Sequence, residues 1–318
     1  MSRYPPMDLD LLRRRLALPT GPVSMVLDTD TYNEIDDQFA VVYSLISEGV
    51  SVEALYAAPF HNSRSSGPGD GMLKSYDEIL RLLDRLGLSP EGLVYHGSER
   101  YLGGPDTPVR SEATDDLIAR ALQPRDETLY VVAIGAITNV ASAILLEPAI
   151  RDKICVVWLG GHPQYWPHAR EFNLQQDVPA AQVVFDSGVP VVQIPCKNVA
   201  EHLRTTLPEM AAYVQGKGAI GDYLYQIFEE FSTDHYARSK VLWDISGIAY
   251  LLDPGWVPSE VRPSPVLRDD ITWGPEATDA AHRHPFRVAI DCNRDKIYGD
   301  LFHKLAACTL ASPGKRST

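Results

Sequence analysis

Short apolar runs alternate along this chain with longer segments in which apolar residues return every three to four positions. The runs are VSMVL (23–27), VEALYAA (52–58), LVYH (93–96), LYVVAIG (129–135), ICVVWLG (154–160) and VPVVQIP (189–195), with a late seventh, FRVAIDC (286–292). Runs of this length predict strands of a parallel sheet buried on both faces. The segments 36–47, 71–86, 111–122, 138–147 and 177–187 predict helices, and beyond Cys196 the pattern turns mostly helical over 208–215, 219–232 and 240–252. Strand and helix in alternation predict an α/β fold: an open, mostly parallel, doubly wound (Rossmann-like) sheet with right-handed crossovers and extra C-terminal helices. A Pro-rich polar stretch, 254–285, predicts a surface excursion before the last strand. No repeat, low-complexity tract or linker interrupts the pattern. Residues 1–318 therefore read as a single domain, with an N-terminal extension at 1–20 and a loose tail at 305–318.

Composition narrows the partners. With 45% hydrophobic residues the chain can bury a large core, and a formal charge of −13 argues against a nucleic-acid backbone, which calls for clustered Lys and Arg. A small-molecule substrate fits better. Cys155, Cys196, Cys292 and Cys308 lie far apart with no CxxC pair, as expected of reduced thiols in a cytoplasmic protein. The first residues lack a signal-type apolar core, and no stretch approaches the roughly 18 apolar residues of a membrane span.

The sharpest local feature is VLDTDTYNEIDD (26–37), which places Asp28, Asp30, Glu34, Asp36 and Asp37 just after the first strand. In an open parallel sheet, ligands collect at the carboxyl ends of strands. Asp28 and Asp30 share a strand face, while Asp36 and Asp37 fall in the first turn of the next helix. Two explanations are open there. The carboxylates cap free helical N–H groups, or they converge on a hard cation with oxygen ligands, Ca²⁺ or Mg²⁺, that relieves their repulsion.

Two enzyme families open similarly. Haloacid-dehalogenase-type phosphatases carry DxDxT, which Asp28 and Asp30 fit but Tyr32 does not; no clean set of later Thr or Ser and Lys completes that site. The nucleoside hydrolases carry DxDPGxDD before an apolar helix, and LDTDTYNEIDDQFAVVYSL resembles it with two extra loop residues. Three further segments resemble that family in the right order: GAITNVASAI (135–144), EFNLQQDVPAAQVVFDSGVPV (171–191) after LGG, and VLWDISGIAYLLDP (241–254). The resemblance spans residues 23 to 254, and EFN with its following helix is the most specific part.

The resemblance implies hydrolysis of the N-glycosidic bond of a ribonucleoside or related N-riboside, in purine or pyrimidine salvage, by a homo-oligomer (dimer or tetramer). It implies Ca²⁺, ahead of Mg²⁺, held by Asp30, Asp37, Asp244 and the backbone carbonyl of Thr138. It makes Asp30 the general base and Asp36, Glu171 and Asn173 the ribose contacts, with Asn62 a further candidate. Each has a plainer reading: Thr138 and Asn139 can cap the helix that follows, and Glu171, Asn173 and Asn62 can be ordinary loop residues. Asp244 is harder to dismiss, because an unpaired carboxylate in so apolar a helix is costly.

Departures from the family fall in three places. TYNEI replaces a Pro-Gly turn, the asparagine ahead of EFN has no clear counterpart, and Trp243 stands where many members place the histidine that protonates the leaving base. Trp243 reads either as core or as a stacking surface for the base, with Phe172 or Trp166. The general acid is then expected from His235, in STDHYARSK, ahead of His168 and Tyr236. Haloacid-dehalogenase-type phosphatase activity and a non-catalytic ribonucleoside-binding relative are the competing readings.

Overall fold

The structure, a computed structural model, describes residues 4, 7–274 and 283–310. Eight strands form one sheet: β1 (Val23–Thr29), β2 (Val50–Ala57), β3 (Val94–His96), β4 (Leu129–Ala133), β5 (Ile154–Leu159), β6 (Val191–Ile194), β9 (Ser259–Pro263) and β10 (Pro285–Ala289). Their spatial order is β3-β2-β1-β4-β5-β6-β10-β9, and every pair is parallel except β10 with the edge strand β9. Each of the seven apolar runs became a strand.

Alternation along the strands divides the core in two. Met25 and Leu27 of β1 and Val157 of β5 face the helices α2 (Asp36–Leu45), α3 (Pro68–Leu86), α9 (Gly218–Glu230) and α10 (Ile245–Leu252), whereas Val26 and Val156 face α4 (Glu112–Leu122), α5 (Thr138–Leu146) and α7 (Val178–Asp186). Both faces of the sheet are covered, which is why the strands read as continuous apolar runs. Between β1 and β4 the winding direction reverses, and this switch point opens a crevice at the carboxyl ends of the strands.

The structure departs from the sequence reading in four places. The segment 240–252 starts not as helix but as a short strand, β8 (Lys240–Val241), paired antiparallel with β7 (Arg204–Thr205); α10 starts only at Ile245. The Pro-rich stretch contributes β9, and its prolines are tolerated because the strand lies at the sheet edge. Residues 305–310, expected in a loose tail, continue a C-terminal helix, Arg294–Leu310, whose Ile297, Leu301 and Leu305 are fully buried; 311–318 lie outside the described residues. The N-terminal extension holds a helix, α1 (Leu9–Arg15), capped by the Asp8 carboxylate, which accepts from Asp10 N at 2.8 Å.

Gly97, just after β3, ties the sheet to the crevice. A Cβ there would lie 1.9 Å from the Ala57 carbonyl oxygen and 2.5 Å from Asn139 Nδ2. Neither can retreat, one being backbone and the other held by the Asp28 carboxylate. Gly97→Ala is expected to cost about 3 kcal/mol, at the upper end of overpacking penalties, read as a lowered urea midpoint with unchanged slope. A midpoint within error of the parent would show that the loop shifts freely.

Candidate functional site

The carboxyl end of β1 delivers the acidic motif into the crevice. Asp28 is fully buried beneath it: Asn139 Nδ2 donates to its Oδ1 at 2.7 Å, and Asn139 Oδ1 in turn accepts from Ser98 N and Oγ, each at 2.8 Å. Burial pushes the Asp28 carboxyl up to about 7, against the lowering effect of the Asn139 hydrogen bond. Two residues on, Asp30 enters a cavity of about 330 Å³ lined also by Asp36, Asp37, Glu171, Phe172, Asn173, Trp243 and Asp244. A doubly wound sheet thus carries a single acidic pocket wall built from β1, the first turn of α2 and the start of α10.

Among the described residues, Asp36, Asp37 and Asp244 bring one oxygen each within 4.8 Å of one another. Burial, then the charges of Asp37 and Asp36, hold Asp30 well above the usual carboxylate range, and burial followed by Asp36, Asp37 and Asp30 does the same to Asp244. Asp37 is pushed up to about 8 by burial and by Asp36, despite the hydroxyl of Thr29 donating to its Oδ1 at 2.6 Å. Both oxygens of Asp30 are buried with no N–H or hydroxyl donor among the described residues, and the neighbour they meet is another carboxyl, Asp37, a contact that needs a shared proton. Such a group is costly unless a proton or a cation reaches it.

The longer loop, TYNEI, is pinned rather than loose. Asn33 N donates to the Asp30 carbonyl at 2.7 Å, and Arg64 Nη1 donates to the carbonyls of Tyr32 and Glu34, each at 3.2 Å. Asn62, expected to touch a sugar, stands behind this loop instead: its Nδ2 donates to Asn33 Oδ1 at 2.6 Å, and Asn33 is the residue that lines the pocket. Lys240, on β8, pairs with Glu34 and lies 3.5 Å from Asp36 Oδ1, while Trp243 N donates to Asp36 Oδ2 at 3.1 Å. Burial alone would lower the lysine, but Asp36 and Glu34 outweigh it and hold its ammonium above its ordinary range. Lys240 bears on the site and went unnoticed in the sequence, because nothing local marks a lysine whose partners lie about 200 residues away.

Glu171 and Asn173 of the EFN segment line the pocket, but much of their bonding capacity serves the backbone. Glu171 caps α6 (Phe172–Gln176), accepting from Asn173 N at 2.9 Å, Leu174 N at 3.2 Å and Gly161 N at 2.8 Å. Asn173 Nδ2 donates to the carbonyls of Ile134 at 3.1 Å and Leu159 at 3.0 Å, which ties together the ends of β4 and β5. Thr138 is not brought to the pocket. Its hydroxyl donates to Asp177 at 2.7 Å, and as the first residue of α5 its carbonyl enters the helical ladder. Ile134, just after β4, does line the pocket, and the next residue, Gly135, passes so close that a Cβ there would lie 3.0 Å from the Asp30 carboxyl carbon.

Trp243 and Phe172 both line the pocket; Trp166 lies one step out, its ring centroid 6.0 Å from that of His162. His235 is not among the lining residues. Its Nε2 sits 2.9 Å from the Glu229 carbonyl at the end of α9, a bond that turns the ring away from the acidic cluster. His235→Ala is expected to change the turnover of an N-riboside less than twofold; a large loss confined to natural bases would reinstate it as the acid.

Fold and pocket together define an α/β protein of the doubly wound class with an acidic, cation-ready site at its switch point. The chain belongs to the inosine-uridine preferring nucleoside hydrolase family, whose sequence profile matches residues 25–304. It is 32% identical over 198 residues to the pyrimidine-specific ribonucleoside hydrolase RihA of Klebsiella pneumoniae (strain 342) and 31% identical over 198 residues to the protein of that name from Escherichia coli O1:K1 / APEC. These alignments cover 56% of the chain and 60% of each relative, so the match spans about three-fifths of the length of these curated relatives. Among solved structures it superposes on a purine-preferring ribonucleoside hydrolase from Gardnerella vaginalis with a TM-score of 0.72 at 20% identity, covering 90% of this chain and 99% of the other. A plant nucleoside hydrolase, PpNRh1, superposes with a TM-score of 0.70 at the same 20% identity and the same coverages. Cys155, Cys196, Cys292 and Cys308 are free thiols, and among the described residues no helix is long and apolar enough to cross a membrane.

Proposed function

We propose that this protein hydrolyses the N-glycosidic bond of a ribonucleoside or related N-riboside, releasing base and ribose. The observation that carries the reading is the cluster of buried carboxylates in which Asp30 meets Asp37 beside Asp36 and Asp244 with no N–H or hydroxyl donor on its oxygens. A donor set made wholly of oxygens suits a hard cation, and the irregular mixture of carboxylates and main chain suits Ca²⁺ better than the strict octahedron of Mg²⁺. Asp30, Asp37 and Asp244 are the residues to hold it, with the Ile134 carbonyl in the part that the sequence reading gave to Thr138. A bound dication there supplies Lewis acidity that lowers the pKa of water.

The side chains then divide the labour. Asp30, which no N–H or hydroxyl donor holds, takes a proton from the attacking water as general base. Asp36 keeps lone pairs for the ribose hydroxyls beyond those used by Lys240 and Trp243 N, since a carboxylate accepts at about four sites. Glu171 and Asn173 border the sugar from the β5 side, and the departing base lies against Trp243 and Phe172. Positive charge developing on the ribosyl ring meets a wall of carboxylates, which stabilises the transition state electrostatically.

A phosphatase of the haloacid-dehalogenase type would need Asp28 exposed as nucleophile, and Asp28 is fully buried under Asn139. Relatives named for pyrimidine and for purine ribonucleosides both match, so the reading commits to the ribose end. A homo-oligomer and a cytoplasmic location belong to the same proposal. The test is to incubate the protein with uridine, inosine and, separately, p-nitrophenyl phosphate, with and without EDTA, and to measure reducing sugar and inorganic phosphate. Sugar release abolished by EDTA and restored by Ca²⁺ is expected; phosphate release from a phosphate ester with no sugar release would overturn the proposal.

A further inference from the structure

The pocket has a second pole of opposite sign. The acidic cluster sits over the ends of β1 and β4, but where β5 and β6 end, the wall is His162, Arg170 and Lys197. His162, only 7% exposed, is pulled down to about 4 by burial, then by His168 and Lys197, so it offers this pole a neutral ring nitrogen, its buried Nδ1, while Arg170 and Lys197 carry the charge. Lys197 Nζ lies 3.2 Å from Glu201, which steadies the side chain at the rim and leaves two of its three donors for a ligand. Among the described residues Arg170 makes one long contact, Nη2 to the Asp270 carbonyl at 3.4 Å, and its guanidinium stays positively charged. Glu171, the carboxylate nearest this pole in sequence, is already ringed by three backbone N–H groups.

A neutral nucleoside offers such a pole hydrogen-bond acceptors but no charge to pair with. A ribosyl ring with C1′ at Asp30 has two groups that point away from the acidic cluster, the base and the substituent on C5′. A flat base suits the aromatic wall at Trp243 and Phe172, and an anion suits the cationic one. We propose that His162, Arg170 and Lys197 take a phosphate on C5′, making the substrate a nucleoside 5′-monophosphate that is cleaved to base and ribose 5-phosphate. This rests on the N-riboside reading. The step is the same hydrolysis: the C1′–N bond breaks with its electron pair going to the base, and a C1′–O bond forms from water. One water proton passes to Asp30 and the base is protonated by solvent; nothing is oxidised or reduced. The phosphate ester stays intact.

Kinetics of the Ca²⁺-supplemented protein on uridine against uridine 5′-monophosphate, and on inosine against inosine 5′-monophosphate, test the idea. Each monophosphate is expected to have a kcat/KM at least about tenfold above its nucleoside, the worth of one good charge-assisted contact. In Lys197→Met that ratio should fall to about one. Calorimetry adds a readout independent of turnover: ribose 5-phosphate should bind at least about tenfold more tightly than ribose, and Lys197→Met should erase the difference. Nucleosides cleaved as well as their monophosphates, with ribose 5-phosphate binding no tighter than ribose, would overturn the anion pole and leave N-riboside hydrolysis standing. Turnover of neither class, with tight Lys197-dependent binding of ribose 5-phosphate, would support the pole and sink the hydrolase reading.

Discussion

Asp30→Asn is expected to lower kcat on an N-riboside by about 10²- to 10⁴-fold, the range that a positioned general base supplies, with a smaller change in KM. The same substitution should not destabilise the protein, and this separates a catalytic from a structural carboxylate. No N–H or hydroxyl among the described residues holds either Asp30 oxygen; its hydrogen-bonding neighbour is the Asp37 carboxylate, and burial and its acidic neighbours raise its pKa. An amide of the same shape keeps a donor for the neighbouring Asp37 carboxylate and cannot ionise against it. In EDTA the variant should therefore melt at the parent's temperature or above it. A kcat within threefold of the parent would show that the base lies elsewhere, and a large fall in melting temperature would show that Asp30 serves the fold.

Why the fold was legible is clear from its strands. β1, β4, β5 and β6 are covered by helices on both faces, so their sequences are apolar at nearly every position and bounded by polar turns. Legibility failed where local pattern and tertiary environment part company. Lys240 and Val241 precede an apolar helix and read as its first turn, yet they pair with Arg204 and Thr205 as a strand that orients Lys240 toward Glu34 and Asp36. The C-terminal helix keeps its buried Ile297, Leu301 and Leu305 on a regular four-residue spacing, but the expectation of a loose tail obscured it.

The site divides along the same line. The carboxylates of the first motif and Asp244 were legible because several acids next to apolar runs have few purely structural explanations, and the pocket gathers Asp30, Asp36, Asp37 and Asp244 with Glu171, Phe172, Asn173 and Trp243. Three assignments that depended on which atom faces inward lie outside the pocket wall: Thr138, Asn62 and His235. A main-chain carbonyl has no sequence signature, so Thr138 was named where Ile134 lines the cavity; Asn62 proved to support Asn33; and His235 is bonded to a helix end. His162, Arg170 and Lys197 carry no motif and meet only when the ends of β5 and β6 come together. The GGH that follows the β5 run was the one available hint.

Removing the metal should make stability depend on pH in a direction opposite to that of most carboxylates. An Asp in an unfolded chain titrates near pH 4, whereas in the folded, metal-free protein Asp28 is raised to about 7 and Asp37 to about 8, with Asp30 and Asp244 shifted the same way. Between about pH 4 and pH 8 the folded state thus holds protons that the unfolded chain has released. Their contribution is full below the unfolded value and is lost as the pH rises through the folded ones. A cation competes with those same protons for Asp30, Asp37 and Asp244, so Ca²⁺ should stabilise little at pH 5 and most at pH 8. At a free concentration 100-fold above its dissociation constant it adds about 2.7 kcal/mol, or roughly 4 °C in melting temperature for a chain of this length. Thermal melts at both pH values, in EDTA and in excess Ca²⁺, read the effect as the difference between the two Ca²⁺ shifts. An equal shift at pH 5 and pH 8 would mean that the buried carboxylates are not where the cation binds. In Asp244→Asn the shift at pH 8 should collapse, because two carboxylates with main-chain oxygen hold the dication more weakly than three.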